Sequence, residues 1–191
     1  MIKLGVLGST NGTDLQAILN AIAGGMLDAE ITVVISNKAK AYILERAQKH
    51  NVSAFFISHK DKTREEFDTE MTVVLKDHKV DLVLLVGFMR ILSAEFCRKW
   101  QDRILNVHPS LLPKYASGMD TNVHADVLKN GDTETGCTIH FVTEEVDVGP
   151  ILVQKSCYVD VEDTVQSLKA KVQALEGAAF IEAIQLLDRG K

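Results

Sequence analysis

The alternation of short β-branched runs with amphipathic segments predicts an α/β fold, an open, mostly parallel twisted sheet with helices on both faces. Three observations carry this expectation. Leu82 to Val86 is a short, unbroken apolar run, the pattern of a strand covered on both sides. Strand-like and helix-like segments take turns from Leu4 to His78. A further strand, Ile104 to Val107, leads into Asn106-Val107-His108 and is halted by Pro109 and Pro113, each of which fixes φ and restricts the residue before it. An amide and an imidazole thus stand two residues apart where a buried strand gives way to irregular chain. In an open α/β sheet, ligands bind at such places.

Leu4 to Leu7 forms the first strand, and Gly8-Ser9-Thr10-Asn11-Gly12-Thr13 is a small-residue loop ahead of the helix Leu15 to Ile22. Strand, flexible loop and helix start in that order aim free backbone amides at an anion, phosphate above all. A tight strand-to-helix turn needs the same residues, and the spacing matches neither a Walker loop nor GxGxxG. Asp14 places negative charge in the first helical turn, where it competes with a phosphate for the same field.

Ile31 to Ile35 is the second strand and Ala41 to His50 its helix; Ala54 to Ile57 and Arg64 to His78 repeat the pair. Arg64 beside Glu65 and Glu66 has the look of a solvated helix start. After the apolar run come Phe88 to Leu92, apolar except for Arg90. No element is assigned between Leu92 and Ile104. Asn122 to Leu128 reads as a short helix ended by Asn130-Gly131-Asp132, and His124 within it is given no role. Cys137 to Val142 alternates as a strand with His140 on its polar phase, where a cross-strand hydrogen bond explains it as well as chemistry does. Asp147-Val148-Gly149-Pro150 is a turn before the strand Ile151 to Lys155. Thr164 to Leu187 is a long amphipathic helix, with Gln173 and Glu176 three apart on one side.

The chain has 191 residues, sized for one domain with a substantial core. Lys and Arg number 21 against 26 Asp and Glu, for a formal charge of -5 without a basic run, which disfavours nucleic acid or an anionic membrane as partner. Cys97, Cys137 and Cys157 are odd in number and lack CxxC spacing, so neither a disulfide framework nor a zinc site is expected. The N-terminus carries no signal-peptide pattern and no apolar run reaches spanning length, which places the expected location in the cytoplasm.

Gly87-Phe88-Met89-Arg90-Ile91-Leu92 together with Asn106-Val107-His108-Pro109-Ser110-Leu111-Leu112-Pro113 resembles the folate-dependent formyltransferases, and the likeness runs almost the length of the chain. The resemblance implies a single formyltransferase domain over residues 1–191. Within it, 1–107 would be a Rossmann-like half that binds ribonucleotide, and 108–191 a half that completes the folate pocket and active site. It implies catalytic roles for Asn106, His108 and Asp147. It implies ribonucleotide binding by Gly12, Thr13, Asp14, Arg64, Gln173 and Glu176, and folate contacts from Met89, Arg90, Leu92 and His140. The implied reaction moves the formyl group of 10-formyltetrahydrofolate to the amine of glycinamide ribonucleotide, with no metal, by a monomer or homodimer working on small molecules. Three places depart from the family pattern: Thr10 stands where Gly is common, Asp14 where Asn is common, and Ala116-Ser117-Gly118 where a Pro-Gly pair is usual. Without that proline the loop is less constrained in φ. Hydrolysis of the formyl folate by the same residues, and folate or nucleotide binding without turnover, are the competing expectations. Transfer to an initiator tRNA would call for a basic C-terminal domain.

Overall fold

The computed structural model describes residues 1–118 and 120–189; Met119, in the divergent loop, and residues 190–191 lie outside it. Among the described residues, seven strands form one sheet in the order β3-β2-β1-β4-β5-β6-β7. The strands are β1 (Ile2–Leu7), β2 (Ala29–Ser36), β3 (Ser53–Phe56), β4 (Leu82–Leu85), β5 (Ile104–His108), β6 (Glu134–Phe141) and β7 (Ile151–Tyr158). The helices are α1 (Thr13–Ala23), α2 (Tyr42–Lys49), α3 (Arg64–Asp77), α4 (Ala94–Lys99), α5 (Asp120–Asn130) and α6 (Val165–Arg189). Strands β1 to β5 pair in parallel, while β6 runs antiparallel to β5 and β7 antiparallel to β6.

Alternation along the buried strands divides the core into two layers. Leu82 and Leu84 of β4 join α1, α2 and α6 through Leu15, Ile18, Ile43, Val172 and Phe180. Val83 and Leu85 face the other way, onto Phe67, Met71, Phe96 and Trp100 around α3 and α4. Successive strand side chains point to opposite faces, so an unbroken apolar run is what a strand covered on both sides requires. The expected α/β sheet with helices on both faces is what the chain forms.

Several strands run a residue or more beyond their expected bounds, and β7 continues to Tyr158. Helix α4 was not expected. It starts at Ser93, whose Oγ accepts the Phe96 amide at 3.2 Å while the Ser93 amide donates to Asp68 Oδ2 at 2.6 Å. Six residues are too few to display helical periodicity, and the cap is its one sequence signal. The chain order places β2 and β3 on one side of β1 and β4 on the other, so the direction of winding reverses between β1 and β4. The loops leaving the carboxyl ends of these strands open at that reversal, where such sheets bind ligands.

Candidate active site

At the end of β5 the parallel sheet meets its antiparallel edge, and this sets which side chains converge. The register pairs Asn106 with His140 and His108 with Thr138. Asn106 Nδ2 lies 3.3 Å from His140 Nε2. The connection from β6 to β7 then carries Asp147 back over the strand ends. Its carboxylate lies 3.3 Å from His108 Nδ1 through Oδ2 and 3.5 Å from His140 Nε2 through Oδ1. One carboxylate, two imidazoles and one amide therefore form a connected group. His108 is 3% exposed and His140 2%.

Each ring nitrogen has an assigned neighbour. His108 Nε2 is 2.9 Å from the Tyr115 carbonyl, an acceptor, so that nitrogen carries the proton. His140 Nδ1 is 2.9 Å from the Phe141 carbonyl, and its Nε2 lies between Asn106 Nδ2 and Asp147 Oδ1, at 3.3 and 3.5 Å. The Ser117 amide donates to Asp147 Oδ2 at 2.9 Å. Burial pulls the His108 imidazole below its ordinary value, against the Asp147 charge and the Tyr115 carbonyl, which favour the cation. For Asp147, burial works upward, but the His140 hydrogen bond, the charge of His108 and the Ser117 amide prevail and hold the carboxyl below its usual value. The group thus pairs an ionised carboxylate with the His108 imidazole, which burial shifts toward its neutral form.

The Asp147 turn depends on a close approach. A Cβ on Gly149 would sit 1.8 Å from the Phe141 carbonyl oxygen, so only glycine lets this turn lie against β6. Asp147 itself has φ 57, in the left-handed region.

The small-residue loop after β1 lies beside the segment after β4. Ser9 Oγ donates to Asn37 Oδ1 at 2.6 Å and accepts the Met89 amide at 2.9 Å; the Ser9 amide donates to the Gly87 carbonyl at 3.1 Å. The loop after β1, the end of β2 and the backbone of Met89 are therefore tied together by one hydroxyl. Gly12 caps α1 with φ 67 and offers no side chain, so the first amides of the helix are not claimed by an N-cap side chain. Met89 is exposed, Arg90 half-buried and Leu92 buried. Arg64, at the start of α3, is exposed, and with Arg90 it acts on the buried Asp68 carboxyl. The Arg90 guanidinium also stacks over the Phe67 ring at 5.2 Å.

Asp14 lies in the first turn of α1, where it was expected to set negative charge against a phosphate. It is 5% exposed, and its carboxyl is hydrogen-bonded to that of Glu176, itself 9% exposed. Burial pushes Asp14 up to about 6, with the Glu176 bond working the other way. A Cβ on Gly177 would come 2.5 Å from Ala17 Cβ, which shows how closely α6 is pressed onto α1 here. Gln173, three residues earlier, is exposed. His124, given no role above, is fully buried on α5.

Sequence reasoning missed Tyr115 and Ser117, which act here through backbone groups and so leave no residue-type signal. It also missed Thr138 and Gln154. Thr138 Oγ1 donates to the Ser110 carbonyl at 2.7 Å and accepts the Leu112 amide at 3.0 Å, while Gln154 Nε2 reaches both the Leu112 carbonyl and Thr138 Oγ1. The alternation of β6 could have placed Thr138 on the same phase as His140. Among the described residues no group of His, Cys, Asp and Glu is arranged to hold a metal ion, and no helix is long and apolar enough to cross a membrane.

Comparison with known proteins adds an independent line. A family model described as formyl transferase matches residues 2–184. The trifunctional purine biosynthetic protein adenosine-3 of Gallus gallus is 43% identical over 99% of this chain, which corresponds to 19% of that protein. The chain thus spans about a fifth of the length of that trifunctional relative. The phosphoribosylglycinamide formyltransferase of Haemophilus influenzae is 38% identical over 100% of this chain and 89% of its own length. Among solved structures, glycinamide ribonucleotide transformylase 1 from Symbiobacterium toebii superposes with a TM-score of 0.95 at 40% identity, covering 100% of this chain and 89% of that one.

Proposed function

We propose, from the premise that the chain belongs to the formyl transferase family, that it transfers the formyl group of 10-formyltetrahydrofolate to the amino group of glycinamide ribonucleotide. The products are formylglycinamide ribonucleotide and tetrahydrofolate, in purine synthesis. The observation that carries the reading is the placement of Asp147 against both His108 and His140, beside the Asn106 amide, at the carboxyl end of β5.

The chemistry needs three things. The amine nitrogen attacks the formyl carbon, a C–N bond forms, and the carbonyl oxygen takes the electron pair as an oxyanion. The amine proton then leaves, N10 gains a proton, and the C–N10 bond breaks as the new carbonyl closes. Asn106 Nδ2 is the donor for the oxyanion, a contact worth about 2.7–4 kcal/mol in comparable sites. His108, buried and shifted toward its neutral form, handles the proton and steadies the oxyanion. Asp147, kept ionised, stabilises the imidazolium that forms and aligns it. His140 holds the Asn106 amide and the second carboxylate oxygen, at the folate side of the group.

In this reading residues 1–107 form the half that holds the ribonucleotide, its phosphate on the amides of Gly12, Thr13 and Asp14 with Arg64 near the entrance, and Gln173 and Glu176 at the ribose and amine. The folate ring lies along Met89, Arg90 and Leu92, and 108–191 completes the site. The reaction belongs in the cytoplasm, on two small molecules, carried out by a monomer or homodimer.

The test is the absorbance change as a 10-formyl folate loses its formyl group, with and without glycinamide ribonucleotide. Loss that requires the ribonucleotide supports transfer. Equal loss without it makes the protein a formyl-folate hydrolase, and folate binding without loss makes it a binding module.

A further inference from the structure

We propose that Tyr115 and Asp132 form a latch that positions His108 and Asp147, a role that rests on the formyl-transfer reading above. A single short turn grips both members of the pair from outside. The Tyr115 carbonyl faces His108 Nε2 at 2.9 Å, and two residues later the Ser117 amide donates to Asp147 Oδ2 at 2.9 Å. The turn is backbone-strained, with Tyr115 at φ 58 and Ser117 at φ 62, in the left-handed region that side-chain-bearing residues seldom occupy. Such conformations persist where surrounding contacts fasten them.

The fastenings fall at two ends. Upstream, Leu112 is bound to the sheet through Thr138 and Gln154. Downstream, the Tyr115 hydroxyl donates to Asp132 Oδ2 at 2.7 Å and accepts from Asn130 Nδ2 at 2.9 Å, while Lys114 Nζ donates to Asp132 Oδ1 at 3.0 Å. The Tyr115 ring packs on Val123, Val127 and Leu168. Asp132 thus ties the end of α5 to the turn, and its grip reaches the reacting groups only through backbone. The charged and titratable groups facing His108 are Asp147 and His140, those facing Asp147 are the two histidines, and those at the latch are Lys114 and Asp132. Tyr115 and Asp132 are therefore positioning residues.

Tyr115→Phe removes one hydroxyl and keeps the ring and the carbonyl; Asp132→Asn removes the charge. With glycinamide ribonucleotide and a 10-formyl folate, each variant is expected to lose about ten- to a hundredfold in kcat, with both KM values within about twofold of wild type. The double variant is expected to be no slower than the worse single, because the pair acts as one unit. The acid limb of the kcat profile should move to lower pH with His108, which takes up the proton in the reaction. His108, followed by NMR, should titrate at lower pH, since the Tyr115 carbonyl favours the protonated ring. Asp132→Glu should restore part of the rate. Unchanged kcat and limb in folded variants, additive losses, or a change in KM alone would overturn the latch. If wild type transfers no formyl group, the formyl-transfer reading fails while the His108 titration in Tyr115→Phe still decides the latch.

Discussion

Replacing Asp14 with Asn should stabilise the protein near neutral pH, and the gain should disappear in acid. In the unfolded chain Asp14 ionises at an ordinary 3.8; in the fold it ionises at about 6. Between those values the folded state keeps a proton that the unfolded state has released, so stability falls as pH rises through the window and stays low above it. A rise of about two pH units at about 1.4 kcal/mol each puts the cost near 3 kcal/mol, the proton belonging to the Asp14–Glu176 pair as a whole. Asn does not titrate, and its amide can donate to the Glu176 carboxylate. Asp14→Asn should therefore exceed wild type by up to about 3 kcal/mol at pH 7.5, or about 6–12 °C in Tm for a domain of this size. At pH 4 the two should melt together. Circular dichroism melts of both proteins between pH 4 and 8 read the effect directly. A gain that is the same at every pH, or a wild type that is more stable at pH 7.5, would refute the shared-proton account.

Other outcomes follow from the site and the turn behind it. Asp147→Asn should lower kcat by about 10² to 10⁴, measured by steady-state transfer, with the fold intact by circular dichroism. Gly149→Ala sets a Cβ against the Phe141 carbonyl, so the turn must shift; urea unfolding should show a loss of about 1–3 kcal/mol together with a fall in kcat. Because burial lowers His108, the unfolded chain binds its proton first as pH drops below 6.5, so the His108 contribution to stability falls with acidity, opposite to that of Asp14, and His108→Gln should remove this contribution in pH-dependent melts.

The elements that organise the fold were legible because they are local. Val83 and Leu85 on one face and Leu82 and Leu84 on the other announce a strand covered twice, and the prolines after His108 announce where β5 ends. Asn106 and His108 were visible for the same reason. The approach of Asp147 to both histidines was not, since it depends on β6 turning antiparallel beside β5 and on Gly149 allowing the return. The pairing of Asp14 with Glu176 was not legible, because the two stand far apart in sequence and only the packing of α6 on α1 buries them together. Helix α4 hid within a stretch too short for periodicity. The Tyr115 carbonyl and Ser117 amide carry no side-chain signal at all, and a register of strands and turns is needed to find them.

The measurement that bears most directly on the site is kcat/KM for formyl transfer to glycinamide ribonucleotide in Asn106→Ala beside wild type, with ribonucleotide binding followed separately by calorimetry. The account predicts a loss of about 10² to 10³ in rate with binding held within a few-fold, the cost of one missing oxyanion donor. A variant that transfers formyl within a few-fold of wild type would place the reaction somewhere other than the end of β5.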